Sequence, residues 1–356
     1  VVKQKILVAG SGGMMGSHAV DYLINNYGNE FEVYGVDDLS GCYKENINPK
    51  SKFTKIDLRD VKAVKKYFKN NFGKTGIDYV VHYASAAHEI RSFFTPIDNM
   101  SRNDEAFRNV VTFALKHKVK HIVFFSSMSR YGSGVVKDGN GKIVINQKAP
   151  FRESYLPAPE DPYACSKVAS ENLLHALQNV FDFTYTIWIP HNCFSPRQYV
   201  DPYRNVLAIW MNLVLLGKEC VIYGTGEQQR AISWVDDFNP VICKSIMDPK
   251  TYGQAFNIGG DENKSLNEWY DIIREVTGYD KESVHYDPRP GEVFNAYCKH
   301  DKAKLMLGFK NATPFKDAIA QMWEYFKKKG PRKFNYIDYL EIENEKVPVT
   351  WKKKLF

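Results

Sequence analysis

A chain of 356 residues with 44% hydrophobic and 25% charged residues can bury a sizeable core, which excludes wholesale disorder. Six cysteines (Cys42, Cys165, Cys193, Cys220, Cys243 and Cys298) stand far apart without a C-x-x-C pair, so neither a metal site nor a secreted disulfide framework is expected. The net charge of +7 admits nucleic acid or a polyanionic small molecule as partner, and no apolar run approaches the roughly 20 residues of a membrane span.

Lys5–Ala9 reads as a strand that begins almost at once, so no leader peptide is expected and the cytoplasm is the simple compartment. Residues 14–27 carry Ala19, Leu23 and Ile24 at helical spacing. Strands follow at 31–37 and 53–58, a helix at 61–72, and a strand at 79–83. Beyond them come a helix over 103–117, a strand at 121–125, a helix over 162–178 and a strand at 184–189. Near-continuous apolar strands alternating with helices predict a doubly wound parallel α/β sheet of Rossmann type.

After Pro190 the rhythm breaks. Helices are expected at 204–216, 265–277 and 313–328, with short strands at 220–223 and 255–258 between them. The expected organisation is a dinucleotide-binding domain over 1–190, to which later helices return. A smaller α+β substrate-binding part covers 191–329, and an extension covers 330–356. The basic clusters Lys327-Lys328-Lys329, Arg332-Lys333 and Lys352-Lys353-Lys354 are read as a solvated tail, and 131–159, rich in Gly, Asp and Pro, as a flexible loop.

Gly10-Ser11-Gly12-Gly13-Met14-Met15-Gly16 lies between the first strand and the first helix. Its glycines allow a tight turn and a close backbone approach, and the helix N-terminus offers free N–H groups to a pyrophosphate. Asp37 ends the second strand, where a carboxylate would bond the adenosine ribose and repel a 2′-phosphate, which favours NAD over NADP. Asp57 either meets the adenine or caps the following helix. Tyr163 and Lys167 share a helix face at i, i+4 spacing. A lysine cation and a positive nicotinamide ring would favour the phenolate, making Tyr163 a base for a sugar hydroxyl. A Tyr/Lys pair is common by chance; its weight here comes from the helix it occupies. Ser126 and Ser127 leave the fifth strand above the cofactor position, where a hydroxyl could orient the reacting oxygen or simply form a turn.

The glycine loop, Ser127, Tyr163 and Lys167 together resemble the extended short-chain dehydrogenase/reductase family, and within it the NAD-dependent sugar-nucleotide epimerases and dehydratases. The resemblance covers about residues 3–326. It implies that Gly10, Gly13, Met14, Met15, Gly16, Asp37, Asp57, Leu58, Tyr83, Ala84, Ser85, Asn103, Ser126, Tyr163, Lys167 and Pro190 surround NAD. It places Ala86, Ser127, Ser129, Asn192, Asn205, Tyr223, Arg230 and Arg289 at the substrate, the two arginines on its diphosphate. Two segments depart from the pattern. Ala106-Phe107 bears on helix packing, and Ile189-Pro190-His191 borders the sugar.

The family's 4,6-dehydratases carry an Asp-Glu pair after the catalytic Ser/Thr, and its decarboxylases keep a Glu. Here Met128-Ser129-Arg130 follows Ser127. The resemblance therefore implies epimerisation, with UDP-glucose 4-epimerase-like proteins the nearest group and a homodimer built on helices 103–117 and 162–178. A 4-ketoreductase consuming external NAD(P)H, an RNA-binding protein on a retained fold and a redox sensor using Cys165 and Cys193 are the rivals. The intact Ser127, Tyr163 and Lys167, and the lack of an Arg-rich or aromatic-interleaved stripe, weigh against nucleic acid. His88 and Arg130 either line the pocket or lie in solvated loops, the second reading carrying more weight.

Overall fold

The computed structural model describes residues 2–356. Seven parallel strands form one central sheet: β1 (Gln4–Ala9), β2 (Phe31–Asp37), β3 (Lys52–Lys55), β4 (Tyr79–His82), β5 (His121–Phe125), β6 (Thr184–Pro190) and β7 (Gln254–Ile258). Their order is β7-β6-β5-β4-β1-β2-β3. The order in which successive strands are added reverses between β1 and β4, and a crevice opens at such a switch point beyond the carboxyl ends of the strands. The strand at 255–258, read from sequence with the smaller part, is instead the edge of this sheet and pairs with β6 from Gln254↔Thr186 to Ile258↔Pro190.

The helices α1 (Met14–Tyr27), α2 (Val61–Phe72), α3 (Ala106–Lys116), α4 (Pro162–Gln178) and α5 (Val235–Ser245) flank the sheet. Alternate strand residues feed two cores. Leu7, Val80, Ile122 and Ile187 pack with Phe68, Phe107 and Val110, whereas Ile6, Val8, Val81 and Val123 pack with Ala19, Leu23 and Ile242. Period-2 alternation buries both faces, which is why the strands are apolar throughout. Phe107, one of the departures noted above, is fully buried and lies 4.9 Å from His82 and 4.4 Å from Phe124 by ring centroids. α2 starts at Asp60, whose side chain accepts from the N–H groups of Lys62 and Ala63, so Asp57 is not the helix cap.

A separate core of Phe194, Trp210, Trp269, Ile319 and Met322 holds the helices Val206–Leu215, Leu266–Thr277 and Phe315–Lys329 together. The 131–159 stretch is pinned at its ends. Tyr131 and Phe151 are buried and stacked at 5.2 Å, and a hairpin of Val135–Lys137 with Ile143–Asn146 lies between them.

Lys327, Lys328, Lys333 and Lys352–Lys354 are exposed to solvent, as expected, but the terminal segment that carries them packs on the fold. Lys329 and Arg332 pair with Glu45 at 3.0 and 2.6 Å, and the Arg332 guanidinium lies 4.4 Å from the Tyr43 ring. Glu341 accepts from the N–H groups of Ile97 and Asp98 at 2.7 and 2.8 Å, and Tyr223 bonds Thr350. Val347 and Trp351 close a small core with Ile90, Phe94 and Tyr203. Among the described residues no helix is long and apolar enough to cross a membrane.

Candidate functional site

A cleft of about 700 Å³ runs from the glycine loop, over the ends of β1, β4 and β5, to the second core. At one end Gly10 turns with φ +80°, and a Cβ there would sit 2.5 Å from the Ala84 nitrogen; one at Gly16 would sit 2.1 Å from the Gly10 carbonyl. Neither position tolerates a side chain. Gly13 caps α1 without a side-chain acceptor, so the first N–H groups of that helix stay free at the cleft, beside Met14 and Met15. Asp37 accepts from the N–H groups of Gly12 (3.0 Å) and Leu39 (2.8 Å), and burial raises its carboxyl above the usual range. An anion-binding helix end with a carboxylate at the next strand end fits a dinucleotide with free ribose hydroxyls. Leu58 and Asp57 line the same end. Arg59 grips Asp57 at 2.6 Å and holds it below the usual carboxylate range.

The chain leaving β4 turns at once, with Tyr83 and Ala84 donating to the Ala9 carbonyl at 2.8 and 3.0 Å. Ser85 and Ala86 then pass along the cleft. Asn103 was expected among the cofactor residues, but it lies behind them, buried and outside the cleft lining. Its side-chain oxygen accepts from Ser85 Oγ (2.9 Å) and the Ala86 N–H (2.8 Å), because a turn this tight leaves backbone groups that a neighbouring amide must satisfy. Through these bonds it positions the segment that passes along the cleft.

Tyr163, Ser127 and Lys167 meet in the middle. Asp161 caps α4 by accepting from the Ala164 N–H at 2.8 Å, which sets the first turn carrying Tyr163. Lys167 lies one turn on, its Nζ 5.6 Å from the Tyr163 ring centroid and donating to the Phe125 carbonyl at 2.8 Å. Burial pulls Lys167 down to about 7. The phenol is raised by burial and then by the charge of Glu89, and is lowered by the hydroxyls of Ser127 and Ser85 beside it. Ser127 also accepts from the Ser129 N–H at 3.2 Å, so the turn role and the cleft position hold together. Ser129 lines the cleft with a buried hydroxyl that has no partner. Ser126 bonds Glu171, which pairs with Arg130 at 3.1 Å. Arg130 is therefore buried behind the strand end, not solvated.

At the far end Glu292 joins Arg230 and Arg289, at 3.0 and 2.9 Å. Arg289 also lies 4.9 Å from the Tyr223 ring. Two guanidiniums sharing one carboxylate keep a net positive charge at this end of the cleft, a match for phosphate oxygens. Asn205 begins the helix 206–215 in the left-handed region (φ 63°), with no side-chain cap bond, and lines the cleft. Asn192 lines it too, although its amide is held by the carbonyl of Ala231 at 2.8 Å. Pro190 sits at the end of β6 between the two ends.

Several lining residues were missed. His88, weighed more heavily as a solvated residue than as pocket lining, does line the cleft; it is buried and bonded to Asp201 at 2.7 Å, and burial lowers its imidazole to about 4. Glu89 and Arg91 line the cleft beside it, as do Asn335, Tyr336, Ile337, Trp351 and Phe356 from the terminal segment. Glu292 was also missed; Arg289, three residues before it, was the available signal. Among the described residues no group of three His, Cys, Asp or Glu side chains is placed to hold a metal ion.

The model of the NAD dependent epimerase/dehydratase family matches residues 6–259. The chain belongs to that family. A Methanocaldococcus jannaschii protein provisionally named UDP-glucose 4-epimerase is 30% identical over 322 residues, 90% of this chain and 98% of that one. The crystal structure of UDP-glucose 4-epimerase from Thermotoga maritima with UDP-glucose is 30% identical. It superposes with a TM-score of 0.81 and covers 92% of this chain and 99% of its own. The Thermus thermophilus UDP-glucose 4-epimerase in complex with NAD is 25% identical, with a TM-score of 0.79 over 91% of this chain and 99% of its own. The chain is thus an enzyme of an NAD-dependent family, and the cofactor that the glycine loop and Asp37 fit is NAD.

Proposed function

We propose that the protein is a sugar-nucleotide epimerase that inverts C4 of a UDP-hexose, with UDP-glucose and UDP-galactose as the interconverted pair. The carrying observation is the layout of one cleft. The glycine loop and Asp37 lie at one end, Ser127, Tyr163 and Lys167 in the middle, and Arg230 and Arg289 at the other. In this reading the arginines hold the diphosphate, with Asn192, Asn205 and Tyr223 along the nucleotide, while Ala86, Ser127 and Ser129 border the sugar.

NAD held by the glycine loop and Asp37 would supply the hydride acceptor and donor for the sugar carbon. The chain's own residues manage the proton. Tyr163, as phenolate, accepts it from the C4 hydroxyl while Ser127 holds that oxygen in line. Burial opposes the phenolate, so the charge of Lys167 is needed to offset it. The same pair returns the proton after the 4-keto sugar has turned its other face to the cofactor. Met128-Ser129-Arg130 offers no carboxylate on the loop after Ser127, which favours hydride return over elimination. Both relatives named above with solved structures are UDP-glucose 4-epimerases.

The test is incubation of the purified protein with UDP-glucose and no added cofactor. UDP-galactose that fails to form with Tyr163→Phe, at a loss of about 10²–10⁴-fold, supports retained NAD and Tyr163 as base. Turnover that requires added NADPH supports the ketoreductase instead. We also infer a homodimer through α3 and α4; sedimentation showing monomer at micromolar concentration would refute it. The cytoplasm is our reading of the compartment, supported by six free cysteines.

A further inference from the structure

Six arginines line the cleft, and five of them are hydrogen-bonded to carboxylates. Arg59 bonds Asp57, Arg91 and Arg102 bond Asp98, and Arg230 and Arg289 bond Glu292. Arg204 is the exception. Among the described residues its guanidinium makes no hydrogen bond, and its one ionic neighbour is Asp201, 3.7 Å from Nε. That Nε is sealed from solvent, whereas the two terminal nitrogens are not, so the fork opens into the cleft that Arg204 lines. The anchor behind it is built and buried. Asp201 accepts from the Tyr203 N–H at 2.8 Å on one oxygen and meets His88 Nε2 at 2.7 Å on the other. An ionised carboxylate only accepts, so Nε2 carries the hydrogen. With both oxygens engaged, Asp201 steadies the stem side of the guanidinium by charge and leaves the fork's outer donors unused.

Direct contacts place Arg204 along the cleft. On one side His88 belongs to the segment 85–92, whose Ser92 Oγ accepts from the Tyr163 N–H at 3.2 Å. On the other side the Tyr203 ring lies 5.0 Å from Trp351, the neighbouring Thr350 bonds Tyr223, and the Tyr223 ring lies 4.9 Å from Arg289. Arg204 thus stands between Tyr163 and the pair Arg230 and Arg289. A sugar nucleotide with C4 at Tyr163 and its diphosphate at that pair presents, in between, the sugar ring and the phosphate joined to it. The pair is short of donors for two phosphates. Arg230 uses Nη1 on the carbonyls of Gln229 and Phe294 and Nη2 on Glu292, and Arg289 uses Nε and Nη2 on Glu292. A guanidinium fork matches phosphate oxygens, and that of Arg204 is open. We propose that Arg204 is a third ligand of the substrate's diphosphate, taking the sugar-linked phosphate, and that Asp201 and His88 are its positioning residues. The inference deepens the proposed function and rests on its nucleoside diphosphate.

The test is calorimetric titration of the NAD-loaded protein with two unreactive probes, UDP and UMP, the second lacking the phosphate in question. Arg204→Gln removes charge-assisted hydrogen bonds, so its affinity for UDP should fall about 30-fold while that for UMP barely moves. Arg204→Lys keeps the charge without the fork and should recover part of the loss. Asp201→Asn and His88→Leu should narrow the UDP-to-UMP ratio about fivefold each; a merely structural role would weaken both probes alike. Bound NAD equal to wild type shows that each variant is folded. Equal losses of UDP and UMP in Arg204→Gln, or no loss of UDP, overturns the proposal. A wild-type ratio in both Asp201→Asn and His88→Leu overturns the positioning role. Wild type that binds neither probe refutes the uridine diphosphate of the proposed function, which is distinct from a failure of Arg204 in a protein that binds UDP.

Discussion

The two ends of the cleft are built by different means. At the cofactor end the parts are local: a strand, a glycine-rich turn and a helix N-terminus, with Asp37 at the next strand end. Backbone groups do much of the work, and the sequence spacing nearly dictates the geometry. At the substrate end the walls are held by side chains drawn from distant segments: Arg230 and Arg289 through Glu292, His88 through Asp201, and Tyr223 through Thr350. The first kind of construction fixes one ligand; the second can be altered residue by residue. The contrast predicts that substitutions at one end will separate cofactor from substrate binding.

The largest effect is expected at the cofactor end. In Gly16→Ala the new Cβ would press on the Gly10 carbonyl, and overpacking of a rigid turn costs about 3 kcal/mol, a factor of roughly 10² in NAD affinity. The variant should purify with little NAD, which ultraviolet absorbance and acid release of the nucleotide will measure. NAD content equal to wild type would show that the turn yields more than its contacts suggest.

Arg289→Ala is the counterpart at the other end. Losing a buried charged hydrogen-bonding group costs about 2 kcal/mol, so KM for UDP-glucose should rise roughly 30-fold while bound NAD is unchanged. It also frees part of Glu292, adding negative charge where a diphosphate is expected. A fall in NAD content of similar size would break the division between the two ends.

What was legible in the sequence follows the same line. Helices 14–27, 61–72 and 162–178 and strand 121–125 match their expected bounds, because each is set by short-range periodicity and by breakers such as Gly13, Asp60 and Pro162. The Tyr163–Lys167 pair was legible for the same reason. The packing of the terminal segment was not, since its lysine runs do stay in solvent and say nothing of the residues between them. Its partners lie far off in the chain: Glu341 meets Ile97 244 positions away, and Arg332 meets Glu45 287 positions away. His88 and Arg130 were misplaced because their buried partners, Asp201 and Glu171, come from other elements. The edge strand 254–258 was misassigned because an apolar run carries no record of the sheet it joins.

A smaller effect tests whether the terminal segment belongs functionally to the substrate end. Glu341 caps two N–H groups of the turn Pro96–Met100, an interaction of about 1 kcal/mol. Glu341→Ala should loosen the segment about fivefold, raising KM for UDP-glucose a few-fold and increasing amide exchange at 334–351 without loss of NAD. Increased exchange with an unchanged KM would make the segment a brace and not a wall of the site.

The smallest effect is a pH dependence at the start of the catalytic helix. Burial first, and the charge of Glu89 second, raise Asp161 from 3.8 to about 7. Between those values the folded chain keeps a proton that the unfolded chain has released, so this residue's contribution to stability falls as pH rises from about 4 to about 7 and is constant above. Asp161→Asn keeps an acceptor for the Ala164 N–H and removes the titration. Its Tm should therefore draw ahead of wild type across that window, with the gap constant above pH 7. In a Glu89→Gln background the Asp161 carboxyl loses a repelling neighbour, and the same gap should shrink. Parallel Tm profiles for wild type and Asp161→Asn would show that water reaches the cap, and an unchanged gap with Glu89→Gln would show that the Glu89 charge does not bear on Asp161.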